Sequence, residues 1–410
     1  MITKRFYRLY SKLYKSMVRN KNSIKHDNQA SEKRDKTKRN NNRKKKILIV
    51  HPIFMWGGSE QVLLSMIKSL HKSYDLHILT GESLKKNNKK ICRRYNVDLS
   101  KYYFNEIVNG RFFSRFPYLL KQIQQRKVYE IDSNFDLVVS SSGTLKSSQK
   151  TVEYIHYPNK DSGTRRKRRF KTIKKVIQKL ILSNAPKRIS QSIIITNSRW
   201  TRDNIKDQQR GNEMIVIYPP VTTLTTVVEN KNEYNLVALS RITPEKYIES
   251  TIDNFNVLNA KHPKLTLNII GSTNNCDRHY IKHIKELCKY NQNITLLFDV
   301  SESRKESLLS EATYGLHSMP KEHFGIAIVE MMRFGTIPFV PNNGGQVEIV
   351  NNEELVYSSR NDLQQKFDKI FMNKIIRNKV STQCRERSHI YSEERFNKEF
   401  TLLTSKALSQ

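Results

Sequence analysis

Ile47-Leu-Ile-Val-His51 is the stretch from which the rest of the chain can be read. Four apolar residues stand between the Arg43-Lys-Lys-Lys46 block and Pro52, the pattern of a strand buried on both faces of a parallel sheet. A loop carrying Gly57-Gly58 follows, and Ser59 is placed to cap a helix whose Val62, Leu63, Met66, Ile67 and Leu70 share one face. Strand-like runs then recur at Leu76-His-Ile-Leu79, Leu137-Val-Val139, Val152-Glu-Tyr-Ile155, Ile193-Ile-Ile195 and Ile215-Val-Ile217. Helical patterns separate most of them, which predicts an α/β chain with a doubly wound sheet.

The series stops at Pro219-Pro220 and restarts after a polar stretch. Leu236-Val-Ala-Leu239, Leu265-Thr-Leu-Asn-Ile-Ile270, Ile294-Thr-Leu-Leu-Phe298, Tyr314-Gly-Leu316 and Ile337-Pro-Phe-Val340 predict the strands of a second unit. Four segments are expected: an N-terminal extension over 1–46, Rossmann-like domains over 47–225 and 226–390, and a C-terminal helix over 391–410. In that helix Ser392, with Glu394 and Arg395 after it, reads as a capping box, and Phe396, Phe400 and Leu403 form an apolar stripe.

Charge is the other strong feature. Lys and Arg total 73 against 38 acids in 410 residues, a formal net charge of +35, so polyanions or phosphorylated ligands should be attracted over long range. In the extension, Ile2, Phe6, Leu9, Leu13 and Met17 recur at helical spacing among Lys4, Arg5, Arg8, Lys12 and Lys15. This predicts an amphipathic helix lying on an anionic membrane surface, followed by a disordered basic linker; a cleaved targeting peptide is the rival reading. A second cluster, Arg165-Arg-Lys-Arg-Arg-Phe-Lys171, precedes an apolar stripe of Ile173, Val176, Ile177, Leu180 and Ile181. It is expected either to dock on lipid or to be an ordinary surface helix. No apolar run reaches the roughly 20 residues of a membrane span. Cys92, Cys276, Cys288 and Cys384 are too scattered for a disulfide framework or zinc site. The expected place is the cytoplasm, peripherally on the cytosolic face of a membrane.

Three constellations stand where parallel sheets bind ligands. Trp56-Gly-Gly-Ser-Glu60 lets the backbone approach an anion at a helix N-terminus, although a plain tight turn fits as well. Ser240-Arg-Ile-Thr-Pro-Glu-Lys246 puts Arg241 and Lys246 at the carboxyl end of a strand, where they could grip a pyrophosphate or form a solvated surface. Glu322-His-Phe-Gly-Ile-Ala-Ile-Val-Glu330 places one acid in a loop and the other on a helix expected over 326–334. Carboxylates beside an anionic ligand are repulsive unless they bind hydroxyl groups, which sugars and riboses offer; a capping acid plus a surface acid is the alternative. Taken alone, His156 reads as a hydrogen-bonded core histidine.

The order of Gly-Gly-Ser-Glu, Arg-x4-Lys, and Glu-x7-Glu ahead of Asn343-Gly344-Gly345 resembles the family 4 retaining glycosyltransferases of GT-B fold. Tyr154-Ile-His-Tyr-Pro158, Thr196-Asn-Ser-Arg-Trp-Thr201, Tyr218-Pro-Pro-Val221 and Val329-Glu-Met-Met332 are similar to segments of alpha-1,2-mannosyltransferases that extend a lipid-linked oligosaccharide from GDP-mannose. The resemblance implies two Rossmann-like domains facing across a cleft and transfer of a hexose to a lipid-linked saccharide or cell-surface glycan precursor. It also implies a catalytic set of His156, Arg241, Lys246 and Glu322. The donor, GDP- or UDP-linked, would meet Gly57, Gly58, Arg241, Lys246, Phe324, Gly325 and Glu330. No cofactor beyond the nucleotide sugar is expected. No Asp-x-Asp occurs, so a metal-independent site is expected, with Arg241 and Lys246 in the metal's place. A nucleic-acid partner is not expected, since the basic clusters lack a recognisable module. The competing readings are a basic nucleic-acid-binding protein and a non-catalytic GT-B partner subunit. The chain departs from the pattern in lacking an initial membrane-spanning helix and in carrying Tyr247 and Asp299 where glycine is common.

Overall fold

The computed structural model describes residues 43–52, 57–81, 97–99, 102–106, 117–158, 192–205, 213–222, 231–273 and 276–409. The opening apolar run is strand β1 (Lys46–His51), with Ile47, Leu48 and Ile49 fully buried. Helix α1 (Gly58–Leu70) follows it directly. Then come β2 (Asp75–Thr80), β3 (Tyr103–Glu106), α2 (Pro117–Ile131), β4 (Leu137–Ser140), β5 (Thr151–Ile155), β6 (Ser192–Thr196), the short α3 (Arg199–Asp203) and β7 (Glu213–Val216). All pairings are parallel, in the order β3-β2-β1-β4-β5-β6-β7.

A second sheet is built from β8 (Asn232–Arg241), β9 (Thr266–Ser272), β10 (Ile294–Phe298), β11 (Ala312–Leu316), β12 (Ile337–Pro341) and β13 (Val356–Tyr357). Its order is β10-β9-β8-β11-β12-β13, again parallel throughout. Its helices are α4 (Ile248–Lys261), α5 (Arg278–Lys289), α6 (Glu302–Glu311), α7 (Ile326–Arg333), α8 (Gly345–Val350), α9 (Arg360–Phe371) and α10 (Lys374–Ser388). Strand order reverses between β1 and β4 in one sheet and between β8 and β11 in the other. Such reversals open crevices at the carboxyl ends of the strands, the ligand-binding end of this class of sheet.

Helix α11 (Glu393–Ser409) joins the two units. It leaves the second unit and lays Phe396, Phe400, Leu403 and Ala407 into the core of the first, alongside Val62, Met66 and Leu70 of α1. Each phenylalanine is fully buried and contributes roughly 1.5–3 kcal/mol. Lys68 pairs with Glu393 at 2.9 Å, and Ser65 Oγ donates to the same carboxylate at 2.9 Å. Only half of the expected capping box forms. Ser392 Oγ accepts from the Arg395 amide at 3.2 Å, but the Arg395 side chain turns instead to Glu399 at 3.0 Å and to the Tyr218 carbonyl at 3.2 Å. An arginine cannot return the second bond of the box because it has no acceptor.

The predicted strands are present within a few residues of their expected ends. β3 and β13 were not foreseen, and Lys46, assigned to the extension, already belongs to β1. Residues 1–42 and the basic stretch at 165–181 lie outside the described residues, as does Cys92. Cys276, Cys288 and Cys384 are free thiols. Among the described residues no helix is long and apolar enough to cross a membrane.

Candidate functional site

In the second unit, Arg241 is the last residue of β8 and stays half exposed, its guanidinium 3.8 Å from Glu245. The chain then makes a short 3-10 turn, Pro244–Lys246, which aims Lys246 inward. Its Nζ lies 2.5 Å from Glu322 Oε2 and 3.3 Å from Met319 Sδ. Burial pushes the Glu322 carboxyl up, but the Lys246 charge, His317 and the Lys246 hydrogen bond outweigh it and hold the group at about 2. His317, 3.8 Å away, is itself lowered to about 4, chiefly by burial. Glu322 is therefore a carboxylate paired with Lys246 beside a neutral imidazole, and sequence spacing gave no hint of His317.

Backbone contacts fix the loop that carries Glu322. The Gly345 amide donates to the Glu322 carbonyl at 2.7 Å, and the Lys321 amide donates to the Asn343 carbonyl at 2.8 Å. The Asn343-Gly-Gly345 stretch is thus the other wall of the same loop. Gly325, at φ 113°, turns this loop into α7, a conformation that a side chain would strain. The Phe324 ring does not line the site as expected. It is 3% exposed and packs against Tyr218 and Tyr391 at centroid distances of 6.0 and 5.6 Å. Only its backbone is left to face a ligand.

Glu330 projects from α7 and meets Lys305 of α6 at 2.8 Å. Lys305 also holds Glu302 at 2.9 Å. Burial favours its neutral form, yet Glu330 and Glu302 together raise its pKa, so it is a firmly charged cation. The sequence reading missed Lys305, one lysine among many on a polar helix. Tyr247 and Asp299, the two departures at glycine-rich positions, both have left-handed backbones, at φ 54° and 48°. Asp299 recovers part of the cost by accepting from the Thr273 amide at 3.0 Å and from its hydroxyl. Tyr247 stands between Lys246 and α4, its ring exposed.

The first unit brings three strand ends together. His51 closes β1, Ser141 follows β4 and His156 follows β5. Ser141 Oγ donates to the Val50 carbonyl at 3.1 Å, so His51 Nδ1, 2.8 Å away, is the donor to that hydroxyl. His51 Nε2 points toward the buried Glu60 at 3.6 Å. His156 Nε2 donates to the Ser141 carbonyl at 2.9 Å, and burial lowers its pKa to about 4. It is a neutral imidazole with a fixed tautomer.

The two units touch across this end. A Cβ on Gly58, at the start of α1, would fall 2.3 Å from Ile326 Cδ1 at the start of α7, so a side chain there would have to displace the end of Ile326. Gly57 before it is exposed and extended. Ser198 Oγ and Thr201 Oγ1 of the first unit donate to the His323 carbonyl at 2.5 and 3.3 Å. The Arg199 amide donates to Glu348 at 2.9 Å. His156, Gly58, the Glu322–Gly325 loop and Lys246 are therefore gathered at one seam, with Arg241 and Glu330 on elements that enter it. Among the described residues no group of three or more His, Cys, Asp or Glu side chains is disposed to hold a metal ion.

Residues 225–387 match the family "Glycosyl transferases group 1". The GDP-Man:Man(3)GlcNAc(2)-PP-Dol alpha-1,2-mannosyltransferase of Dictyostelium discoideum is 23% identical, with 84% of this chain aligned to 81% of that protein. The Xenopus tropicalis protein of the same description is 37% identical over 169 residues, which span 37% of this chain and 34% of the relative. Among solved structures, Anabaena HepE in complex with UDP and glucose superposes with a TM-score of 0.63 at 14% identity, over 88% of this chain and 100% of that one. TarM superposes with a TM-score of 0.65 at 12% identity, over 89% and 99%. At that identity the likeness is one of fold.

Proposed function

We propose that this chain is a glycosyltransferase that moves a hexose from a nucleotide diphosphate sugar to a lipid-linked saccharide; the match of residues 225–387 to the group 1 glycosyltransferases and the GT-B fold support the reading. GDP-mannose is the favoured donor, on the strength of the Dictyostelium and Xenopus relatives. The observation that carries the reading is the contact of Lys246 with Glu322 at the β8/β11 crevice, with Arg241 at the end of β8 and His156 on the facing unit.

Breaking the bond between sugar and diphosphate builds negative charge on the phosphate and positive character at the anomeric carbon. Arg241 and Lys246 are preorganised cations for the first of these, and such groups favour the transition state over the ground state. They supply the charge neutralisation without a metal ion. Glu322 holds the Lys246 ammonium in place and presents a buried carboxylate next to the sugar. Glu330, steadied by Lys305, accepts from the ribose hydroxyls. His156 is neutral and fixed through Nε2, so Nδ1 is its acceptor face toward the sugar. The acceptor hydroxyl attacks the anomeric carbon on the face the phosphate leaves. Its proton passes to the departing phosphate oxygen, and the anomeric configuration is kept. Residues 1–46 bring the enzyme to an anionic cytosolic membrane surface, where a lipid-linked acceptor resides.

The test is a hydrolysis and transfer screen of GDP- and UDP-linked hexoses with a short-chain lipid pyrophosphate saccharide as acceptor. Turnover of one donor with an α-linked product is expected. Turnover of none, by folded protein, would refute the reading.

A further inference from the structure

Tyr157 follows His156 at the end of β5, and its side chain is more than half exposed, at 56%. Its ring lies 6.0 Å from that of His323. The Trp200 ring lies 5.8 Å from the same His323 ring. The interplanar angles are 38° and 34°, so each outer ring is tilted against the imidazole and the three are joined through His323 into one aromatic strip. Two come from the first unit and one from the second. The strip is held firmly, because Ser198 and Thr201 grip the His323 carbonyl. It begins one residue from Glu322 on one unit and one residue from His156 on the other.

Resting on the transferase reading above, we propose that Tyr157, His323 and Trp200 form a stacking platform for the acceptor saccharide. The chemistry of the rings argues for this. A pyranose has an apolar face of C–H bonds carrying partial positive charge, and an aromatic face is electron-rich. Stacking buries that face while the sugar hydroxyls stay at the wet rim. The donor's diphosphate requires cations, which stand on the β8 side. The acceptor must place a hydroxyl beside the anomeric carbon, and a strip flanked by His156 and Glu322 ends at that point.

Trp200 is one of only two tryptophans in the chain, so its fluorescence can report occupancy in a Trp56→Phe background. The full chain would be titrated with mannotriose, chitotriose, galactotriose and a short-chain lipid pyrophosphate-linked oligomannoside. A saturable change is expected with at least one saccharide. Tyr157→Ala should weaken it about tenfold and raise the acceptor KM equally, Tyr157→Phe should restore both, and the donor KM for hydrolysis should stay within twofold. No response to any saccharide overturns the proposal. So does a Tyr157→Ala protein whose acceptor KM is unchanged, or one whose losses fall on kcat and thermal stability alone, as a contact sealing the two units would give. Absence of donor hydrolysis by the unaltered chain would instead refute the transferase reading.

Discussion

The strand ends of the first unit and those of the second face the same seam with opposite electrostatics. On the second unit, Lys246 with Glu322 and Lys305 with Glu330 are short, mostly buried ion pairs, and Arg241 stands half open at the end of β8. On the first unit, Glu60 and Arg199 apart, the residues named at the seam are hydrogen-bonded neutral groups and rings: Ser141, the neutral His156, Asn197, Tyr157 and Trp200. A nucleoside diphosphate needs fixed charge, and fixed charge inside a protein must be paired. A sugar needs hydroxyl partners and apolar faces, and it would gain nothing from a second cation. The division between the two units matches the division within the proposed donor and acceptor.

The largest effect that should sharpen this contrast is on the charged side. Lys246→Ala is expected to lower sugar transfer by at least about 100-fold, as loss of a preorganised transition-state contact does. It should also cost about 3–5 kcal/mol of stability, because Glu322 is left buried and unneutralised. A Lys246→Met, Glu322→Gln double variant should regain most of the stability in a urea melt while staying inactive. Full activity in that variant would break the assignment. Glu330→Ala should reduce turnover comparably through the donor KM, with less effect on the fold.

Next comes pH. His156 and His317 fall from an ordinary 6.5 to about 4, so the unfolded chain binds protons there that the native one does not. Their contribution is fully present above pH 6.5 and is lost as the pH falls toward 4. Glu322 drops from 4.5 to about 2, so its stabilisation is lost over that lower range. Melting temperature should thus fall in two stages on acidification, and His317→Asn should flatten the first. A melt that is flat from pH 7 to 5 would contradict the neutral histidines.

Smaller still is Tyr247. Its left-handed backbone costs roughly 1–2 kcal/mol, and Tyr247→Gly removes that strain while loosening the unfolded chain. A net gain of about 1 kcal/mol is expected from chemical denaturation. The smallest effect concerns the extension: deleting residues 1–40 should weaken sedimentation with anionic liposomes and leave donor hydrolysis intact.

What the sequence could disclose follows from how local each signal is. β1, β4, β6 and the middle of β8 carry unbroken apolar runs because both faces of their sheets are covered, and such runs are visible in one dimension. β13 is two residues long, and β3 is a four-residue edge strand, Tyr-Phe-Asn-Glu, so neither carries a long run to be seen. Arg241, Lys246, Glu322 and Glu330 were legible as spaced types at strand ends. Their partners were not. Lys246 meets Glu322 across 76 positions and Glu330 meets Lys305 across 25, distances that only the fold closes. Phe324 shows the opposite limit, since a ring beside a ligand loop reads as a lining residue until its side chain is seen packed against the touching pair Tyr218 and Tyr391. Tyr247 and Asp299 stood out as departures from glycine, and their positive φ values explain why glycine is common there.

Calorimetric titration of the full chain with GDP and with UDP tests the central claim most directly. One saturable site for one of these nucleotides is expected, weakened at least about tenfold by Arg241→Ala and unaffected by Tyr157→Ala. Failure of both nucleotides to bind, or binding indifferent to Arg241, would contradict the account.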